Sequence, residues 1–130
     1  MKRKVLISFL VILLILALAS CSPSPEILSC DIVIESWGQD YYEYSEEWSD
    51  LVVFYTITNT GNVDIYYYQI WFKAYCKDGS DYEDWTSGLW VYVGHPETDY
   101  TFINVPDKEV VSVEVTDWDL MIWINPSIPM

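Results

Sequence analysis

From residue 30 onward, apolar and polar positions alternate with period two, and the alternating residues are β-branched or aromatic rather than helix formers. Cys30-Asp31-Ile32-Val33-Ile34-Glu35 reads as a first strand. Leu51 to Thr58 reads as a second, with Leu51, Val53, Tyr55 and Ile57 on one face and an acidic, aromatic loop before it. Asn59-Thr60-Gly61-Asn62 brings together residues that tolerate positive φ, so the chain turns there into a third strand, Ile65 to Cys76. Asp78-Gly79 predicts the next turn. Further strands are predicted at Tyr82–Trp85, Leu89–Val93, Tyr100–Val105 and Val110–Thr116, divided by His95-Pro96-Glu97 and Pro106-Asp107-Lys108. Leu120 to Ile124 either adds an eighth strand or docks on a face before Pro126 and Pro129. About seven strands with regular turns, and no helical period to compete, predict an all-β, two-sheet β-sandwich.

The first 20 residues follow another pattern. Lys2, Arg3 and Lys4 precede an apolar run from Val5 to Ala19, broken only by Ser8. Those 15 residues fall short of the roughly 20 needed to cross about 30 Å of hydrocarbon, whereas a basic end and a short apolar run suit a cleaved signal peptide. Leu18-Ala19-Ser20-Cys21 resembles the lipobox of bacterial lipoproteins. The resemblance implies transfer of a diacylglyceryl group to the Cys21 sulfur, cleavage before Cys21, and acylation of the new amine by a chain such as palmitate. It therefore implies export, with the protein held on the cell membrane or outer membrane and its domain facing away from the cytoplasm. The expected organisation is a signal peptide over 1–20, a lipidated N-terminus and tether over 21–29, a sandwich over 30–120 and a C-terminal strand or tail over 121–130. Ser22-Pro23-Ser24-Pro25 favours extended backbone, so the nine steps from Cys21 to Cys30 reach at most about 30 Å. Such a domain stays near the bilayer.

Charge narrows the partners. After cleavage, Lys73, Lys77 and Lys108 face all 20 acidic residues, a formal charge of −17. Nucleic acid and anionic headgroups repel such a domain, which leaves anchoring to the lipid. Seven Trp and eleven Tyr give it enough apolar surface to fold despite the charge. With Cys21 lipidated, Cys30 and Cys76 remain as a pair in an oxidising compartment and are expected to form a disulfide, which by chain entropy contributes roughly 4 kcal/mol. Two distant cysteines and one histidine do not make a structural zinc pattern.

Thr56-Ile57-Thr58-Asn59-Thr60-Gly61-Asn62, followed by Ile70-Trp71-Phe72-Lys73-Ala74-Tyr75-Cys76-Lys77-Asp78-Gly79, resembles the immunoglobulin-like extracellular modules of prokaryotes, the FxLYD type nearest. Phe72 and Tyr75 match that motif, while Ala74 stands for its leucine and Cys76 for its aspartate. The resemblance implies an immunoglobulin-like sandwich at a cell surface, and it brings no catalytic residues.

Candidate chemistry is sparse. His95 lies beside Pro96 in a predicted turn, with no nucleophile to serve. Acidic pairs such as Glu46-Glu47 and Asp117-Asp119 arise readily in so acidic a chain, whereas a glycosidase needs two carboxyls opposed across a cleft. Asp78, Asp81, Glu83 and Asp84 gather oxygens in one stretch that could suit Ca2+, without the spacing of an EF-hand. On the third strand, period two places Tyr67, Gln69, Trp71, Lys73 and Tyr75 on the face opposite Ile70 and Phe72. Rings alternating with hydrogen-bonding groups can anchor a protein partner or stack on envelope glycan. The expectation is a non-catalytic binding or structural module.

Overall fold

The computed structural model describes residues 24–126, all strand, turn and coil. Residues 1–23, which include the expected signal peptide and Cys21, and the last four residues lie outside them. Six long antiparallel strands form two sheets. The first has the order β1 (Cys30–Gly38), β4 (Leu51–Asn59), β7 (Pro96–Ile103); the second has β6 (Asp81–Val91), β5 (Ile65–Cys76), β8 (Val110–Met121). A short ribbon of β2 (Tyr41–Tyr42) and β3 (Glu47–Trp48) folds the acidic loop back on itself. The arrangement is an immunoglobulin-like two-sheet β-sandwich.

The two central strands supply the core, because each presents an unbroken apolar row. Leu51, Val53, Tyr55 and Ile57 of β4 are fully buried against Ile65, Ile70, Phe72 and Ala74 of β5, and Val91, Ile103 and Val105 close the layer. Within it the Tyr55 and Tyr68 hydroxyls share a hydrogen bond of 3.0 Å, so neither buried phenol is left unsatisfied. Burial pushes both phenols above their ordinary ionisation range, and for Tyr68 the hydrogen bond with Tyr55 adds to the rise. A raised folded-state pKa makes the stability contribution complete below the unfolded value of about 10 and has it decline as pH climbs beyond. Denaturant midpoints between pH 9 and 11 are therefore expected to fall in the parent, and to fall less in Tyr55→Phe.

Two strand expectations are corrected. Tyr82–Trp85 and Leu89–Val93 belong largely to one strand, β6, because Gly88 pairs with Tyr68 in register and does not turn the chain. A Cβ at Gly88 would lie 2.3 Å from the Tyr68 hydroxyl. The glycine is there so that the Tyr68 ring can lie across the strand. Leu120 and Met121 likewise extend β8 and do not start an eighth strand; Trp123 then folds against Tyr66 and Trp90.

Residues 25–29, expected to be part of a tether, are instead docked on the domain. Asn59 accepts a hydrogen bond from Gly61 N and donates to the carbonyls of Val63 and Val91, fixing the turn after β4. That turn holds the incoming chain. Asn62 donates to Pro25 O at 2.9 Å, its Oδ1 accepts from Ile27 N, and Asn62 N and Thr60 N donate to Ile27 O and Ser29 O. Residues 25–29 are thus part of the domain, and only the stretch before Pro25 separates it from Cys21.

Candidate functional site

The outer face of the β6-β5-β8 sheet carries the predicted stripe. Tyr67, Gln69, Trp71, Lys73 and Tyr75 are all half-buried and share that face, as alternation required. Register shows what surrounds each. Tyr67 lies between Leu89 and Met121, Gln69 between Ser87 and Asp119, Trp71 between Trp85 and Asp117, Lys73 between Glu83 and Glu114, and Tyr75 between Asp81 and Ser112. A bulge after Trp71 aims Asp117 beside it, and Thr116 Oγ1 donates to Trp71 O. The Tyr75 hydroxyl donates to Glu114, which holds the phenol protonated above its usual range. Among the described residues no other element lies over this sheet, so the face is a broad plane of rings and carboxylates around one ammonium.

The predicted calcium ligands do not converge. Asp81 and Glu83 point outward on β6, Asp84 alternates to the inner side, and Asp78 sits in the preceding turn. Asp78 is engaged by Lys108 at 2.7 Å and by Ser80, interactions that hold its carboxyl below the usual carboxylate range. Among the described residues no three acidic, histidine or cysteine side chains are grouped to hold a metal ion. Period two is the reason: it divides adjacent acids between two faces.

The expected disulfide is also corrected. Cys30 opens β1 opposite Asn59, at the end holding the N-terminal segment, whereas Cys76 closes β5 beside Ser80 and Val110. Gln39, just past the other end of β1, accepts from Val110 N, so Cys30 and Cys76 stand at opposite ends of the sandwich. Nine residues of strand, about 25 Å, separate ends that a disulfide would need within about 7 Å. Both are free thiols, and burial, then the neighbouring Asp31 carboxylate, pushes Cys30 up to about 11. Alkylation of the protein denatured without reductant is expected to add to both, and in the native protein at pH 8 to proceed slowly; an intact mass lacking both additions would contradict the strand register.

Two further surfaces escaped the sequence reading. At the far end, Gln39, Asp40, Tyr42, Ser49, Asp50 and Phe102 are among the residues that line a cleft of about 450 Å3. Its polar groups are committed to holding the loop: Gln39 donates to Ser49 O and Lys108 O, and Asp50 accepts from Val105 N. At the near end, Tyr66, Trp90, Tyr92 and Trp123 form a ring cluster, with Tyr66 packed 5.1 Å from Trp90 and 4.7 Å from Trp123. The rings come from three separate segments, and the run Trp90-Val91-Tyr92, in which a buried valine separates two exposed rings at a strand end, was the available signal. His95 lies exposed in the turn that follows. No family model, curated protein or solved structure matches this chain.

Proposed function

We propose that the chain is an exported lipoprotein, anchored through Cys21, whose sandwich is a non-catalytic module that binds a protein partner on the outer face of the β6-β5-β8 sheet. The lipobox-like Leu18-Ala19-Ser20-Cys21 supports the anchor. The observation that carries the binding reading is the composition of that plane, where Trp71 and Trp85 lie in register and Asp81, Glu83, Glu114, Asp117 and Asp119 flank the central strand. Aromatic anchors ringed by charge suit a protein interface. With one lysine among five carboxylates, the complementary partner surface is cationic, and encounter depends on salt.

Trp71→Ala and Asp117→Lys test this in the lipidated protein held in detergent, with envelope extract as the source of partner. Both variants are expected to lose a partner that the parent retains at low salt and releases at high salt. Trp71→Ala should cost only about 1–2 kcal/mol of stability, below the 3–5 of a fully buried ring, because its face is solvated. Equal retention by the parent and both variants would reject the face. A second reading, envelope glycan, draws on Tyr67 and Trp71 standing about 13 Å apart on one flat strand; glycan capture that ignores salt and needs both rings would favour it.

A further inference from the structure

The ring cluster of Tyr66, Trp90, Tyr92 and Trp123 sits at the end of the sandwich where the chain enters. β4 ends there at Asn59, β5 begins at Ile65, β6 ends at Val91 and β8 ends at Met121. Val93 is bridged to Asn59, and its N–H is taken by Asp64, so the loop after β6 is fastened to the same turn that holds residues 25–29. The rings pack on one another yet remain open to solvent, with Trp90 at 39%, Tyr92 at 48% and Trp123 at 54% exposure. Val93 and Ile124, the chain neighbours of Tyr92 and Trp123, are exposed as well, and Ile27 is exposed on the segment docked at this end. Trp90 also adopts a φ of 56°, a left-handed conformation that a bulky side chain takes only under constraint from its surroundings. The acidic loop of Asp40, Glu43, Glu46, Glu47 and Asp50 is at the opposite end.

We propose that this end of the sandwich rests in the headgroup layer of the bilayer, with Trp90, Tyr92 and Trp123 as its interfacial side chains. The inference depends on the reading that Cys21 is lipidated. Asn62 grips Pro25, four residues after Cys21, and four steps of chain reach at most about 14 Å. A sulfur bonded to diacylglycerol therefore keeps this end of the domain within about 14 Å of its anchor, close enough for exposed rings to reach the headgroup layer. Indole and phenol rings favour that layer, since each combines an apolar body with a polar tip. Attraction between charges plays no part, because the domain is acidic; the contact is apolar, and the lipid supplies the local concentration. The domain is then oriented as well as tethered, with its acidic loop directed away from the membrane.

The test uses the full lipidated chain, extracted from membranes and reconstituted in phosphatidylcholine vesicles, with tryptophan emission quenched by a lipid spin-labelled just below the headgroup. The parent is expected to float with the vesicles and to lose a distinct part of its emission. The double variant Trp90→Phe, Trp123→Phe, which keeps an aromatic ring at each position, is expected to float equally and to lose most of that quenchable part. A parent that floats without quenching overturns the docking while leaving the anchor intact. Quenching unchanged in the double variant overturns the assignment to this cluster. A parent that does not float removes the anchor, and the proposal with it.

Discussion

In Gly88→Ala, the folded state is expected to lose about 1–3 kcal/mol, the usual cost of forcing extra volume into a packed site, and to lose the Tyr55–Tyr68 hydrogen bond as well. The added Cβ would lie 2.3–2.5 Å from three atoms of the Tyr68 phenol, a ring only 3% exposed and held between the sheets. The ring cannot swing into solvent without vacating the core. Strand backbone conformation is ordinary for alanine, so the cost comes from the ring, and a double-mutant cycle separates the two causes. With Tyr68→Leu in the background, Gly88→Ala should cost a few tenths of a kcal/mol. An equal cost in both backgrounds would place the strain in β6 itself.

Gly61→Ala has a different target. A Cβ there would lie 2.0 Å from the carbonyl oxygen of Ile27, and backbone cannot yield as a flexible side chain can. The segment must lift off, breaking the hydrogen bonds that Thr60 and Asn62 make to Pro25, Ile27 and Ser29. At about 0.5–1.5 kcal/mol for each of four net bonds, the expected loss is roughly 2–6 kcal/mol, confined to this end of the domain. Hydrogen exchange should show it as lost protection at Ile27, Thr60 and Asn62, with the amides of β5 unchanged. Protection retained at Ile27 would mean that the docked segment does not depend on the glycine.

These two glycines also mark how far the sequence could be read. The rows on β4 and β5 were legible because both strands are central and bury one full face, so period two shows without interference. The turn at Asn59–Asn62 was legible from its residue types, but the segment it grips was not, since nothing in Ser22-Pro23-Ser24-Pro25 signals hydrogen bonds to a turn more than 30 residues away. Strand β6 was divided between Trp85 and Leu89 because a glycine that makes room for a ring from the neighbouring strand carries no local signal of that role. The cysteines were misjudged for a related reason: an even count says that a bond can be drawn, and only the register says that the two thiols lie at opposite ends. Alternation already placed the Tyr67–Tyr75 stripe on one face, and it would also have separated Asp84 from Asp81 and Glu83. The ring cluster near the chain entry depends on three segments meeting, which is information held by topology.

The placement of both surfaces relative to a membrane depends on Cys21, and the direct measurement is the intact mass of the protein recovered from the membrane fraction. The expected species begins at Cys21, carries a diacylglyceryl thioether and an acylated amine, and has lost residues 1–20. A chain that retains those residues, or a cleaved chain whose Cys21 bears no lipid, would contradict the account.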